Sequence, residues 1–258
     1  MSVRLQKADF WKRISAYMLD ILIVFILAVA STLLFMTAFK YDSYLSAIED
    51  KRAEYELEYG IDLSLSREDY DKLSEAEKQA YDEKYTALNT AISKDAEMIK
   101  IYTNLITVSV ASISLGLLVA DAIVYFAVPL LLKNGQTLGK KCFGLAVIRA
   151  NGVKLSNPVL FVRTFIGLFA IETMFPLFLL TATIVGLLGQ VGLITLGLFA
   201  ALEIGVMISS HTNSSIHDLL SDTVVVDLAS QEIFESYDAL IEHEKAEAAK
   251  KANEANYV

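Results

Sequence analysis

Residues 17–39 read YMLDILIVFILAVASTLLFMTAF, an apolar run carrying one charge, Asp20. At about 1.5 Å per residue, a helix of this length crosses a hydrocarbon layer about 30 Å thick. Inside such a layer the backbone must satisfy its own hydrogen bonds, so the run dictates a helix. A cleaved signal peptide would have a shorter apolar core followed by a small-residue cleavage site. Here Lys40-Tyr41-Asp42 follows, and a retained span is predicted.

Three further spans are predicted. Residues 101–132 carry only Asp121 as a charge, and their length implies tilt or extension beyond the membrane. The apolar stretch that begins at Pro158 and ends near Met207 is too long for one crossing. It divides into spans over 158–183, marked by Glu172, and 186–208, marked by Glu203. The chain thus has 54% apolar residues, a mean hydropathy of +0.45 and still 21% charged residues, because charge and apolarity are segregated along it.

Lys and Arg flanking the spans set the orientation. Arg4, Lys7, Lys12 and Arg13 precede the first span, and Lys133, Lys140, Lys141, Arg149, Lys154 and Arg163 lie in or beside the 133–157 connection. With the basic flanks inside, both termini (1–16 and 209–258) face the cytoplasm and 40–100 faces outward. Residues 41–100 hold sixteen Asp/Glu against eight Lys/Arg. Their loose helical period of Tyr and Leu, with Ser66 and Asp69 spaced as a capping box, predicts one or two amphipathic helices or a small helical hairpin. In the cytoplasmic connection, Cys142 to Ser156 places Asn151-Gly152 between two apolar runs, which predicts a β-hairpin, and Thr223–Val226 is a third candidate strand. The fold expected is an all-α integral membrane protein of four transmembrane helices, N-in/C-in, with a small cytoplasmic β-hairpin and an acidic helical extracytoplasmic segment.

The net charge of −9 argues against nucleic acid as a partner. Cys142 is the single cysteine, which excludes an intrachain disulfide and a cysteine-rich metal site. It is expected to act as a small apolar residue near the membrane face. Gly135–Gly144 lacks the spacing of a phosphate loop, so its glycines are assigned to a turn where the chain leaves the membrane, and Lys140 and Lys141 to lipid headgroups. No compact metal-ligand spacing joins His211, His217, Asp218 and Asp222, and Asp218 reads as a helix or turn cap. No nucleophile elbow or dinucleotide fingerprint is present, so neither an enzyme nor a cofactor is expected.

Three segments carry a resemblance. Arg13-Ile-Ser-Ala-Tyr-Met-Leu-Asp20 resembles the R-x-x-A-x-x-x-D signature of the RDD family of membrane proteins. Gly135-Gln136-Thr-Leu-Gly139-Lys140-Lys-Cys-Phe-Gly-Leu-Ala-Val resembles that family's G-Q-T-x-G-K segment, and His217-Asp218 through Val226 its closing H-D-x-x-x-x-T-x-V. Asn213-Ser214-Ser215 stands where the family often has an arginine. The resemblance covers residues 8–40 and 100–227. It implies a transport role, with cation/proton exchange proposed for some members, and a bacterial plasma membrane.

One acid per span, Asp20, Asp121, Glu172 and Glu203, is the candidate ion-binding set. Asp20 is expected to be the essential member, oriented by Arg13 two helical turns away, with Arg163 pairing the shallower acids Asp20 and Glu203. Four helices make a thin bundle, so a homo-oligomer is expected. The alternative is a membrane scaffold or assembly factor that binds a partner through the acidic segment.

Overall fold

The computed structural model describes residues 5–6, 8–132 and 134–255. Arg4, Lys7 and Lys133, three of the flanking charges, lie outside the described residues. The chain divides into two compact units, Met1–Val29 with Gly116–Val258, and Ala30–Leu115.

Four helices are long and apolar enough to cross a membrane. They are α1 (Phe10–Ala38), α5 (Ala96–Leu132), α7 (Asn157–Ile184) and α8 (Gly189–Ser209). Two of them widen into π-helical turns, α5 over Ala122–Ala127 and α7 over Val162–Met174. A π turn frees carbonyls from the regular ladder, and here Thr164 Oγ1 donates to the Tyr125 carbonyl at 2.8 Å. Val124, Tyr125 and Leu168 pack there against Ile23, Val24 and Leu27 of α1.

Within the Ala30–Leu115 unit, the acidic segment is helical: α2 (Tyr41–Tyr59), α3 (Arg67–Lys72) and α4 (Glu75–Lys94). Gly60, at φ 59°, ends α2. Ser66 caps α3 by accepting from the Asp69 amide, and Ser74 with Glu77 makes a reciprocal capping box on α4. Helix α4 returns along α2. Lys84 Nζ donates to the Gly60 carbonyl at 2.9 Å, Tyr55 Oη to Asp95 at 2.8 Å, and Lys51 pairs with Glu97 at 2.8 Å. Ile48, Leu88 and Met98 are the apolar side chains buried in these helices and at the start of α5.

The other unit holds a two-stranded antiparallel sheet, β1 (Leu145–Arg149) and β2 (Thr223–Asp227), in register Leu145↔Asp227 to Arg149↔Thr223. This corrects the hairpin expectation. Asn151-Gly152 does turn the chain, with Gly152 at φ 85° and the Arg149 amide donating to the Val153 carbonyl at 2.9 Å. The returning arm, however, forms no strand: it makes the single bridge Ile148↔Lys154 to β1 and a parallel bridge, Val153↔Phe234, on its other side. The partner of β1 is a strand about 75 residues later in the chain, because both strands are apolar on both faces and need cover on each. Ala8, Ala16 and Leu155 cover Leu145, Val147 and Val225; Leu5, Leu228 and Ile233 cover Ala146, Ile148, Val224 and Val226. Short helices α6 (Leu138–Cys142) and α9 (Ile216–Leu220) lead into β1 and β2, and α10 (Tyr237–Ala255) packs Leu240 on Val153 and Phe234. Cys142 is exposed.

Ile148 is fully buried in this sheet. Ile148→Ala is expected to cost about 2–5 kcal/mol of stability, read from thermal unfolding of the purified chain in detergent. A loss below about 0.5 kcal/mol, typical of surface substitutions, would place this side chain outside any packed core.

Candidate functional site

Asp20 lies on the buried face of α1 and is fully enclosed. A carboxylate so placed needs donors, and residues 134–140 supply them. Gly135, at φ 60°, turns the chain after α5, and the Gln136 side chain donates to the Leu145 carbonyl at 2.7 Å. Thr137 caps α6 and donates its hydroxyl to Asp20 Oδ2 at 2.5 Å, while the Gly139 amide donates to Oδ1 at 2.8 Å. A Cβ on Gly139 would strike the Ala16 carbonyl and the Asp20 carboxylate, so only glycine allows this approach. Lys140 Nζ stands 3.8 Å from Asp20 and 5.9 Å from the centre of the Tyr125 ring.

Two expectations are corrected by this arrangement. Lys140 is largely enclosed rather than directed at lipid headgroups. Burial pushes its ammonium down to about 8, and neighbouring Arg163 adds to that, while Asp20 opposes it. Arg13 is not the partner of Asp20. Its guanidinium reaches the Thr212 carbonyl at 2.8 Å and Asp218 Oδ2 at 3.2 Å.

Asp218 is the second enclosed carboxylate. It closes a capping box with Ser215 at the start of α9, where its Oδ2 accepts from the Ser215 hydroxyl at 3.0 Å. Its Oδ1 accepts from Arg163 at 2.7 Å. Arg163 therefore pairs with Asp218, not with the shallower acids Asp20 and Glu203. Burial alone would push the Asp218 carboxyl up, but its neighbours, the Arg163 guanidinium foremost, with His217 and Arg13, outweigh it and hold the group well below the usual carboxylate range.

His217, beside Asp218, donates its backbone amide to Glu172 at 2.7 Å, and its Nδ1 lies 2.7 Å from the other Glu172 oxygen. Its Nε2 is 2.9 Å from Arg163. Arginine only donates, so Nε2 accepts and Nδ1 carries the proton given to Glu172. This contact needs Gly167 in α7, because a Cβ there would lie 2.6 Å from the His217 Cβ.

Glu172 and Glu203 line one cavity of about 270 Å³, together with Tyr17, Arg13, Lys140 and His217. Glu203 Oε1 is inaccessible and has no hydrogen-bond partner among the described residues. The four intramembrane acids therefore do not converge. Glu172 and Glu203 share the cavity, Asp20 is bound to the 137–140 segment, and Asp121, also buried, is not among the cavity's lining residues. Sequence reasoning misses Tyr17 and Thr137. Thr137 carries a signal, as the hydroxyl of the G-Q-T segment, whereas Tyr17 carries none beyond its place in α1.

A family model described as the RDD family matches residues 7–222. That match takes in the acidic segment, which the motifs leave out. No curated protein and no solved structure matches the chain.

Asp218→Asn leaves two buried guanidiniums short of one negative charge and is expected to destabilise the protein by about 3–5 kcal/mol, measured by thermal unfolding; an unchanged midpoint would remove Asp218 from the framework. Lys140 gives a pH signature. Its folded pKa of about 8 lies below the ordinary 10.5, so the unfolded chain binds the extra proton between those values and stability rises with pH across that window. Wild type should gain up to about 3 kcal/mol between pH 8 and 10.5 relative to Lys140→Met. Parallel pH curves for the two proteins would show an unperturbed lysine.

Proposed function

The chain belongs to the RDD family, and from that premise we propose that it is a small multi-pass membrane transporter exchanging cations for protons through Glu172 and Glu203. The observation that carries this reading is the shared cavity, in which Glu203 Oε1 has no partner among the described residues and Glu172 is held by His217. A carboxylate without a donor in a water-poor wall needs either a proton or a cation as company. Occupancy by one excludes the other, which is the requirement for exchange. No covalent step is involved, and no cofactor enters the reading.

The accompanying topology is N-in/C-in in a bacterial plasma membrane, with the acidic 40–100 segment outside. The bundle works as a homo-oligomer, since four helices alone enclose little space for a path. Asp20 has a framework role here, because its oxygens are already taken by Thr137 and Gly139.

A second reading has its own support. Asp20 and Asp218, the two most enclosed carboxylates, both tie segments together, as they would in a membrane scaffold whose acidic segment binds a partner.

Proteoliposomes carrying a pH gradient separate the two. With Na⁺, K⁺, Li⁺ or an organic ammonium added in turn, wild type should dissipate the gradient for at least one of them, Glu203→Gln should lose at least about tenfold in that rate, and Asp20→Asn should lose stability but keep its rate per folded molecule within about twofold. Wild-type vesicles indistinguishable from empty ones for every cation, organic cations included, would remove exchange and favour the scaffold.

A further inference from the structure

The cavity is larger and more apolar than a bare metal ion requires. A water molecule claims about 30 Å³ of liquid, so about 270 Å³ admits a molecule of several heavy atoms. Ile14, Ile204, Met207 and Ile216 supply apolar wall, and Phe10 and Tyr17 supply aromatic rings. Alkali and alkaline-earth ions call for several converging oxygens. Among the described residues, no group of three His, Cys, Asp or Glu could hold a metal ion.

The charges at the site leave one position unmatched. Arg13 and Arg163 share Asp218, Lys140 stands beside Asp20, and Glu172 is held by His217. Glu203 is the acid lining the cavity whose enclosed oxygen has no partner among the described residues; Asp121 Oδ2, also unpartnered, lies outside the lining. A single positive charge on the occupant would supply that missing partner.

We propose that this cavity binds a monovalent amphipathic organic cation, one ammonium-type charge on a compact apolar body, with Glu203 as counter-charge and Tyr17 and Phe10 against the cationic head. This rests on the cavity assignment made above and narrows its cation to an organic one. Aromatic rings attract quaternary ammonium groups electrostatically, and the apolar wall gains by covering the body of the ligand. Glu203 is released to bind a proton when the cation leaves.

The probe is benzyltrimethylammonium, titrated calorimetrically into the full-length protein in nanodiscs, with empty nanodiscs as the partition control and neopentylbenzene as the uncharged isostere. Wild type should bind the cation saturably at one site per chain and ignore the isostere. Affinity should fall at least about tenfold in Glu203→Gln and a few-fold in Tyr17→Leu, a second variant that leaves the carboxylate in place. Na⁺ should compete only through ionic strength. Absence of saturable binding by folded wild type, equal binding by Glu203→Gln, or stoichiometric competition by Na⁺ would overturn the proposal. The vesicle assay separates its failure from that of exchange. Benzyltrimethylammonium binding without any proton flux supports the site and ends the transport reading; Na⁺-driven flux with no binding of the organic cation retains exchange and ends this proposal.

Discussion

The carboxylate of Asp218 is the constraint on which the rest of this site depends. Two guanidiniums from different helices, Arg13 of α1 and Arg163 of α7, meet on it, and its own helix is capped by it. Charges removed from water lose several kcal/mol of hydration each, and recover it only with close partners and satisfied donors. That condition leaves α9 one place to sit, against α7 at Gly167, where no Cβ keeps it away. Once α9 is there, His217 is delivered to Glu172 and Arg163 together, and β2, three residues further along, is delivered to β1.

Asp20 plays the corresponding role for the other short segment. Its two oxygens bind the hydroxyl and the amide at the start of α6, which fixes the chain between α5 and β1. The residue types of the Gly135–Lys140 run then divide the work among them. Gly135 makes the turn, Gln136 braces Leu145, Thr137 caps α6, Gly139 permits the close approach and Lys140 supplies a countercharge. The two carboxylates are thus used up in holding the framework. Glu172 also ties α9 to α7 through the amide and ring of His217, and Glu203 is left facing the cavity.

Much was legible in local sequence. The length of each apolar run announced four spans, and the apolar runs at Leu145–Arg149 and Thr223–Asp227 announced strands. The spacing of Ser66 and Asp69 announced a cap. What misled was proximity in sequence. Arg13 and Asp20 share a helix face at seven residues' distance, yet their partners come from residues 212–218 and 137–140. The Asn151-Gly152 turn formed, but its return arm lost the sheet to β2, whose two apolar faces had more to bury.

By itself the sequence determined which segments are helical spans, which short runs are strands and which acids stand inside apolar stretches. Those properties are local: run length, periodicity and residue type within a few turns. Only the tertiary structure decided which charge meets which. The Asp218 and Asp20 contacts join residues from 55 to 205 positions apart. Pairing at that range is set by how helices pack and by where a missing Cβ at Gly139 or Gly167 lets backbones touch. The unpartnered Oε1 of Glu203 is what that packing leaves behind, after the other carboxylates of the cavity wall, Glu172 and Asp218, have found their donors.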